Sequence, residues 1–192
     1  MTPFRDLVHP AAGTALISEW ITGTAERTRA AADAVAEEWA AGEWPSALLS
    51  QHVFRATDGT GLLFYAQWTS DEEHLTWARA RRGALVSRVD ALVPGIGRPG
   101  LHRTRLHRSV VHDGGRPPGA LAVTRTTAGT VVAAPGLLAA HVHLTKDGQE
   151  SFVVEEWADA AFFGAAVRTG TRTAKRYTLH HSFLNDHEGE AV

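Results

Sequence analysis

The sequence contains one hairpin-like segment twice. Residues 48–70 and residues 137–159 align without a gap at a constant offset of 89. Both copies read as an apolar strand, an Asp-Gly turn and a second strand, and the alignment places Trp68 opposite Trp157 at the end. The repeat therefore predicts two copies of one small folding unit.

The match between the copies extends outward from the hairpins. Residues 103–111 resemble residues 176–184, and residues 13–24 resemble residues 119–130. Pairing Ala15 with Ala120 gives an offset of 105, which falls to 89 and then to 73 along the chain, so the second copy is shorter by 16 residues at each step. Both losses fall in segments that read as helices in the first copy.

Composition narrows the possible partners. The 192-residue chain is 44% hydrophobic and 21% charged, which is ordinary for a globular protein with a core. A net charge of −2 gives no long-range attraction to nucleic acid or to anionic lipid. No run of 18 apolar residues and no signal-peptide pattern is present, so no membrane association is expected. We expect a small-molecule partner instead.

The absence of cysteine excludes several kinds of chemistry. No disulfide, thiol nucleophile or thiolate metal site can form. A chain without cysteine suits a reducing compartment, and we expect a cytoplasmic protein.

Hydrophobic periodicity predicts a β-α-β-β-α-β order for the first copy. Thr24 and Ser70 are suited to cap the two helices, because their hydroxyls can accept hydrogen bonds from backbone N–H groups. The predicted elements are a strand at 13–22, a helix at 25–41, strands at 48–57 and 61–68, a helix at 71–91 and a strand at 103–111.

The element order predicts an α+β fold of two tandem ferredoxin-like (βαββαβ) units that form an intramolecular α+β barrel. The chain would then be a monomer with an internal pseudo-dimer, or a homodimer of such chains. The expected divisions are an N-terminal arm (1–12), the first unit (13–111), a linker (112–118), a second, degenerate unit (119–184) and a C-terminal tail (185–192).

The segment 54–80 resembles the antibiotic biosynthesis monooxygenase family of the dimeric α+β barrel superfamily. It combines an Asp-Gly turn, a strand that ends in Trp68, and Ser70 followed by acidic residues at a helix start. The resemblance covers nearly all of the first unit and is weaker in the second unit. It implies a ferredoxin-like fold and, by similarity to actinomycete anthrone oxygenases, a monooxygenase.

The resemblance implies that the substrate is an aromatic polyketide intermediate in antibiotic biosynthesis, oxidised by molecular oxygen without bound metal, flavin or haem. An ionised phenolic substrate can itself reduce oxygen. The protein then has to bind the rings, favour their ionisation and stabilise the developing oxygen anion.

Four residues are candidates for the chemistry. Trp68 matches the tryptophan at the end of the family's strand, and Arg88 follows twenty residues later, where anthrone oxygenases have an active-site arginine. His52 or His74 is the expected proton acceptor, because imidazole titrates near neutral pH.

Four further residues are expected to bind the substrate. The family has asparagine at the positions of Ser18 and Phe64, so these two residues replace polar groups that hold the substrate. Tryptophan can stack on fused rings. The expected substrate-binding residues are Ser18, Trp20, Trp39 and Phe64.

No metal site and no bound cofactor are expected. His141 and His143 share one strand face, but no third ligand has suitable spacing. Haem-degrading relatives have a histidine ten residues after the tryptophan, where this chain has Ala78 and Val167. No Gly-rich nucleotide motif is present, so reduced flavin, the alternative cofactor, would come from a partner.

Other functions are compatible with the same sequence. A polyketide cyclase would need only shape and acid–base groups, and a flavin-assisted enzyme would modify rings in the same pathways. A non-catalytic ligand-binding protein is the third possibility, because fold does not determine function. In each case we expect the pocket in the first unit, between its sheet and helices 25–41 and 71–91, with a volume of roughly 300–1,000 Å³.

Overall fold

A computed structural model describes residues 7–127, 129–167 and 174–185. Eight strands form the framework: β1 (Thr14–Ile21), β2 (Leu48–Ala56), β3 (Gly61–Trp68), β4 (Gly97–Val111), β5 (Ala120–Thr126), β6 (Leu137–Thr145), β7 (Ser151–Trp157) and β8 (Lys175–Leu184). The helices are α1 (Ala25–Ala41), α2 (Asp71–Trp77), α3 (Gly83–Leu92) and α4 (Ala160–Val167), and a π-helical turn (Ala78–Arg82) joins α2 to α3.

The strands form a closed antiparallel barrel in the order β1-β3-β2-β8-β5-β7-β6-β4. The first four strands lie in the order β4-β1-β3-β2, and the last four lie in the corresponding order β8-β5-β7-β6. The fourth strand of each half pairs with the second strand of the other half. The predicted α+β class is confirmed.

Strand β4 is longer than the predicted 103–111 and links both halves. Its first part pairs with β1, and its second part pairs with β6. The sequence pattern missed the first part because it contains Gly97, Pro99 and Gly100, residue types that are depleted in strands.

The register of β1 and β5 corrects the alignment of the copies. Thr14 lies opposite Trp68 in one half, and Ala120 lies opposite Trp157 in the other. The offset between the first strands is therefore 120 minus 14, or 106, rather than the predicted 105.

The helices of the first half begin as the sequence predicts. The Thr24 side chain accepts a hydrogen bond from the Arg27 amide, and the Ser70 side chain accepts one from the Glu73 amide. The second helix differs from the predicted single α-helix, because the π-helical turn interrupts it after Trp77. Such turns widen a helix locally and are frequent at functional sites.

Two apolar layers lie on opposite faces of the first half's strands. The outer layer lies between the strands and helices α1 and α3, and includes Val35, Trp39 and Val89. The inner layer fills the barrel and includes Phe54 and Tyr65. Successive strand residues point to opposite faces, so neighbours along one strand belong to different layers.

The second half has a thinner helical layer. The described part of the segment between β5 and β6, where the first half has α1, contains no helix. The described part of α4 has 8 residues, whereas its counterpart in the first half runs from Asp71 in α2 to Leu92 in α3. None of the helices formed by the described residues has the length and apolar character needed to cross a membrane.

Candidate functional site

A cavity of about 180 Å³ lies between the outer face of the first half's strands and its helices, and it is partly open to solvent. This is the predicted position, although the volume is below the predicted range. A second hollow of about 500 Å³ lies at a mouth of the barrel and is lined by both halves. The smaller cavity has by far the more aromatic lining.

Five aromatic rings form the walls of this cavity. Trp39 and Trp77 are stacked with centroids 5.2 Å apart and planes inclined by 20°. Trp68 lies 5.5 Å from Trp77, and Trp20 lies 4.7 Å from Phe64. Because aromatic rings attract one another face to face when offset and also edge to face, such walls suit a flat aromatic ligand.

His74 places a polar group against these walls. Its side chain is buried and makes an edge-on contact with Trp68, at a centroid distance of 5.1 Å. Arg103 Nη2 lies 3.0 Å from His74 Nδ1. A guanidinium can only donate, so we assign Nδ1 as the acceptor and Nε2 as the protonated nitrogen.

Burial holds His74 in its neutral form. It lowers the pKa of His74 to about 4, and the positive charges of Arg103 and Arg82 act in the same direction, against a weaker opposing effect of Asp71. With Nδ1 occupied, His74 offers a hydrogen-bond donor. The predicted role of proton acceptor does not fit this arrangement.

Two arginines bring positive charge to the cavity. The Arg98 guanidinium lies 4.1 Å from the centroid of Trp20 and binds both carboxylate oxygens of Asp90, at 2.8 and 3.2 Å. Arg82 belongs to the π-helical turn and also lines the cavity. Both charges can favour an anionic ligand.

Arg88 lies outside this cavity. Its side chain is 58% exposed and pairs with Glu38 of α1, with an Nη2–Oε2 distance of 2.5 Å. It lines a neighbouring hollow of about 340 Å³ between the helices, which shares Trp39 and Trp77 with the cavity. The predicted contact of Arg88 with the reacting part of a ligand has no support in this geometry.

His52 also lies outside the cavity, on the inner face of β2. Its Nδ1 lies 2.8 Å from Ser182 Oγ on β8, and its ring contacts Phe54 and Tyr65 inside the barrel. The preceding residue, Gln51, lines the cavity from the outer face. Strand alternation therefore separates His52 from the cavity, and it cannot accept a proton there.

The structure brings six predicted residues together and adds others. The predicted residues that line the cavity are Ser18, Trp20, Trp39, Phe64, Trp68 and His74. The lining residues that the sequence analysis missed include Gln51, Trp77, Arg82 and Arg98. Helical spacing could have revealed Trp77, which follows His74 by three residues on the same helix face.

Polar side chains also lie inside the barrel. The Tyr65 hydroxyl donates to the Leu7 carbonyl at 2.7 Å, so we assign His143 Nε2–H as the donor in its 3.3 Å contact with Tyr65. Burial, with a smaller effect of His141, lowers the pKa of His143 to about 3.

A histidine and a serine meet where the two halves join. His52 Nδ1 lies 2.8 Å from Ser182 Oγ, and His141 Nδ1 lies 2.9 Å from Ser109 Oγ. The two histidines are equivalent in the repeat, and so are the two serines. In the second pair only, a described contact joins the histidine to a carboxylate, with His141 Nε2 3.0 Å from Glu156 Oε1.

Within residues 7–127, 129–167 and 174–185, no group of three or more His, Asp or Glu side chains is arranged to hold a metal ion.

The two glutamates before Trp157 are both shielded from solvent. Glu155 accepts a hydrogen bond from the Trp157 indole on the outer face, and Glu156 bonds His141.

No protein-family model matches the sequence, and no curated protein matches it significantly.

Solved structures do resemble the fold. An anthrone oxidase-like protein is 14% identical, with a TM-score of 0.63, and the match covers 93% of this chain and 96% of that one. A protein described as a candidate monooxygenase from Lactobacillus acidophilus is 9% identical, with a TM-score of 0.54 over 89% and 96% of the two chains. A mutant chlorite dismutase from Candidatus Nitrospira defluvii is 11% identical, with a TM-score of 0.50 over 94% and 96%. At these identities the similarity establishes the fold.

Proposed function

We propose that this protein is a small oxygenase that acts on a flat, phenolic polycycle of the aromatic polyketide class and uses molecular oxygen. The observation that carries the proposal is the aromatic cavity, in which four tryptophans surround a neutral His74 and two arginines. Named monooxygenases and an anthrone oxidase-like protein among the structures of similar fold support this choice.

The tryptophans provide the binding energy. Fused aromatic rings that enter the cavity replace water against Trp39, Trp68 and Trp77, whose rings already lie at stacking distances. The cavity volume of about 180 Å³ suits a few fused rings, and its open side allows substituents to extend into solvent.

The polar groups stabilise the reactive form of the substrate. Arg82, Arg98 and the His74 Nε2–H favour a phenolate over a phenol, because each interacts more strongly with the anion. No carboxylate is among the described lining residues, so the substrate proton leaves through the open side to water. The phenolate is an electron-rich species that molecular oxygen can oxidise.

The overall reaction balances without another reductant. A ring CH₂ group loses two hydrogens and becomes a carbonyl. One oxygen atom of O₂ enters that carbonyl, and the other leaves as water together with the two hydrogens. The same donors that hold the phenolate can stabilise the peroxide that precedes loss of water.

Bound flavin is the less favoured alternative. The reactive part of a flavin is itself a flat tricycle, so it would compete with the substrate for the same walls. A cavity of about 180 Å³ does not accommodate both rings. We therefore propose that the reaction needs no bound cofactor.

We also propose that the chain is a fused pair of ferredoxin-like units that acts as a monomer. The repeated strand order supports this arrangement, and so does the pairing of both outer strands of each half within one chain. In this view only the first unit carries the substrate site.

The test is oxygen uptake on anthrone, a reduced tricycle that ionises to a phenolate, with a metal chelator present. We expect one O₂ consumed per carbonyl formed, with no requirement for added reduced flavin. Turnover only with reduced flavin would exclude the cofactor-free mechanism. Saturable binding of the tricycle without oxygen uptake would favour a ligand-binding protein.

A further inference from the structure

The two halves are joined by strand pairing at two places, β2 with β8 (the first join) and β4 with β6 (the second join). Three hydrogen-bonded side chains lie at the second join, and none of them lines the aromatic cavity. Ser109 Oγ on β4 lies 2.9 Å from His141 Nδ1 on β6. His141 Nε2 lies 3.0 Å from Glu156 Oε1 on β7. The order is therefore serine, imidazole, carboxylate, with both contacts at hydrogen-bond distance.

The protons in this chain can be placed from the donor rules. A carboxylate can only accept, so His141 Nε2 carries the hydrogen that faces Glu156. His141 Nδ1 is then the acceptor, and the Ser109 hydroxyl donates to it. This is the order of groups in which an imidazole removes the proton of a serine nucleophile while a carboxylate orients the ring, here with the two ring nitrogens exchanged relative to the serine-protease triad.

The solvent exposure of the three residues fits a nucleophile, a base and an orienting group. The Ser109 residue is exposed, whereas the side chains of His141 and Glu156 are only 5% and 13% exposed. A nucleophile has to be reached by a substrate, and its base and orienting group work best when water is excluded from them. The three side chains meet both requirements.

The first join provides an internal comparison. The equivalent serine and histidine, Ser182 and His52, make the same hydrogen bond, but Gln67 occupies the position of Glu156. The bond between serine and histidine therefore occurs both with and without a carboxylate at this position. The carboxylate adds something different, because only a negative charge stabilises the imidazolium that forms when the histidine takes a proton.

Apolar side chains flank Ser109 on the same strand face. Leu106, Ser109 and Val111 lie opposite alternate residues of β6, and a register shift between Leu106 and Arg108 marks a bulge. Leu106 is 40% exposed and Val111 is 59% exposed. Bulges often re-aim side chains next to active sites, and exposed apolar groups beside the serine suit a short acyl chain.

We propose that Ser109, His141 and Glu156 form a second catalytic centre, which hydrolyses activated esters or thioesters with a short apolar acyl group. Ser109 Oγ forms a bond to the carbonyl carbon, and the bond from that carbon to the alcohol or thiol leaving group breaks. His141 takes the serine proton and gives it to the leaving group. Water then cleaves the acyl-serine bond with the same base, releasing the acid and restoring the serine.

The test uses the full chain with p-nitrophenyl butyrate and a fluorophosphonate probe. We expect esterase turnover and one covalent label, which peptide mapping places on Ser109. Ser109→Ala should remove the label and lower hydrolysis by about 10²-fold or more. Glu156→Gln, which reproduces the composition of the first join, should lower hydrolysis by about 10-fold or more.

Ser182→Ala is the matched control, because it removes the equivalent serine and should leave hydrolysis and labelling unchanged. Labelling at another residue, or equal hydrolysis by Ser109→Ala and the wild type, would overturn the proposal. Equal hydrolysis by Glu156→Gln would overturn the role of the carboxylate. The midpoint of urea unfolding of each variant reports its folding, so the esterase test succeeds or fails independently of anthrone oxidation.

Discussion

Both halves of the barrel contain the same edge-on aromatic contact with a tryptophan, but the partner ring is polar in the first half and apolar in the second. In the first half, His74 lies edge-on to Trp68 with centroids 5.1 Å apart and an interplanar angle of 81°. In the second half, the equivalent residue, Phe163, lies edge-on to Trp157 at 5.3 Å and 85°. Both halves therefore have an aromatic ring at this position, but only the first half has an imidazole, and its Nε2–H is available for function because Nδ1 is bound by Arg103.

The helical layers that cover the two halves also differ. The first half has α1 and the long interrupted helix, and the aromatic cavity lies beneath them. The second half has only α4 among its described helices, and Trp157 packs into a small cluster with Phe163. The described helices of the second half therefore offer less surface with which to cover a ligand.

The largest expected effect is on stability at low pH, and each half contributes one buried histidine with a strongly lowered pKa. Burial lowers the pKa of His74 to about 4 and that of His143 to about 3, against 6.5 in the unfolded chain. Below pH 6.5 the unfolded state binds these protons first, so the free energy of unfolding falls as the pH falls. Each group should contribute a loss of about 2–3 kcal/mol between pH 7 and pH 4.

Urea unfolding at pH 7, 5.5 and 4 measures this loss. His143→Phe and His74→Phe should each flatten the pH dependence, and the effect of His143→Phe should extend to lower pH. Unchanged pH dependence in both variants would show that neither histidine is held neutral in the fold.

The next prediction concerns a substitution that gives the first half the residue found at the equivalent position of the second half. His74→Phe keeps the edge-on ring against Trp68 and removes the hydrogen-bond donor, so the fold should persist. We expect kcat/KM for anthrone oxidation to fall by about 10²-fold, the scale of losing one donor to a developing anion. Steady-state oxygen uptake measures this loss. Phe163→His is the reciprocal control and should change the rate little, and equal activity of His74→Phe and the wild type would contradict the site.

A smaller effect is expected on KM, and it should differ between variants of the two equivalent tryptophans. Trp68→Phe shortens a wall of the cavity and should raise KM by about 10-fold, since part of one stacking surface is lost, on the order of 1 kcal/mol. Trp157→Phe should leave KM unchanged, because Trp157 is not among the lining residues of the cavity. Titration of the tricycle under anaerobic conditions gives binding without turnover, and similar dissociation constants for both variants would count against the first-half site.

The smallest effect concerns Arg88. Its guanidinium pairs with Glu38 and is largely exposed, so Arg88→Ala should change kcat/KM by less than about 3-fold, in line with the small value of exposed ion pairs. Arg98→Ala is the matched comparison, because Arg98 lines the cavity, and it should lower kcat/KM more. A loss of about 10²-fold in Arg88→Ala would restore the role that the sequence spacing predicts.

Sequence periodicity identified most of the elements because strand alternation and helix caps are local properties. It missed the first part of β4, where Gly and Pro hide a strand whose pairing is decided by β1 across the barrel. It placed Trp68 and His74 together correctly, since one helical turn after the strand brings them into contact.

The direction in which side chains point could not be predicted as well from the sequence. His52 and Gln51 are neighbours, yet only the structure shows which one faces the cavity and which one faces the barrel interior. The π-helical turn changes the phase of the helix after Trp77, so Arg82 reaches the cavity while Arg88 does not. Spacing carried over from a continuous helix could not reveal this shift.

The joins between the halves have a consequence for a fragment of the chain. Because β2 pairs with β8 and β6 pairs with β4, both joins unite a second strand with a fourth strand. Residues 13–111 alone would carry one unpaired strand of each kind, and an unpaired edge is a template for association. Two copies of this fragment related by a twofold axis would satisfy both edges, which is the isologous arrangement of a symmetric dimer. Such a dimer would possess two copies of the aromatic cavity that the described residues of the first half form in the intact chain.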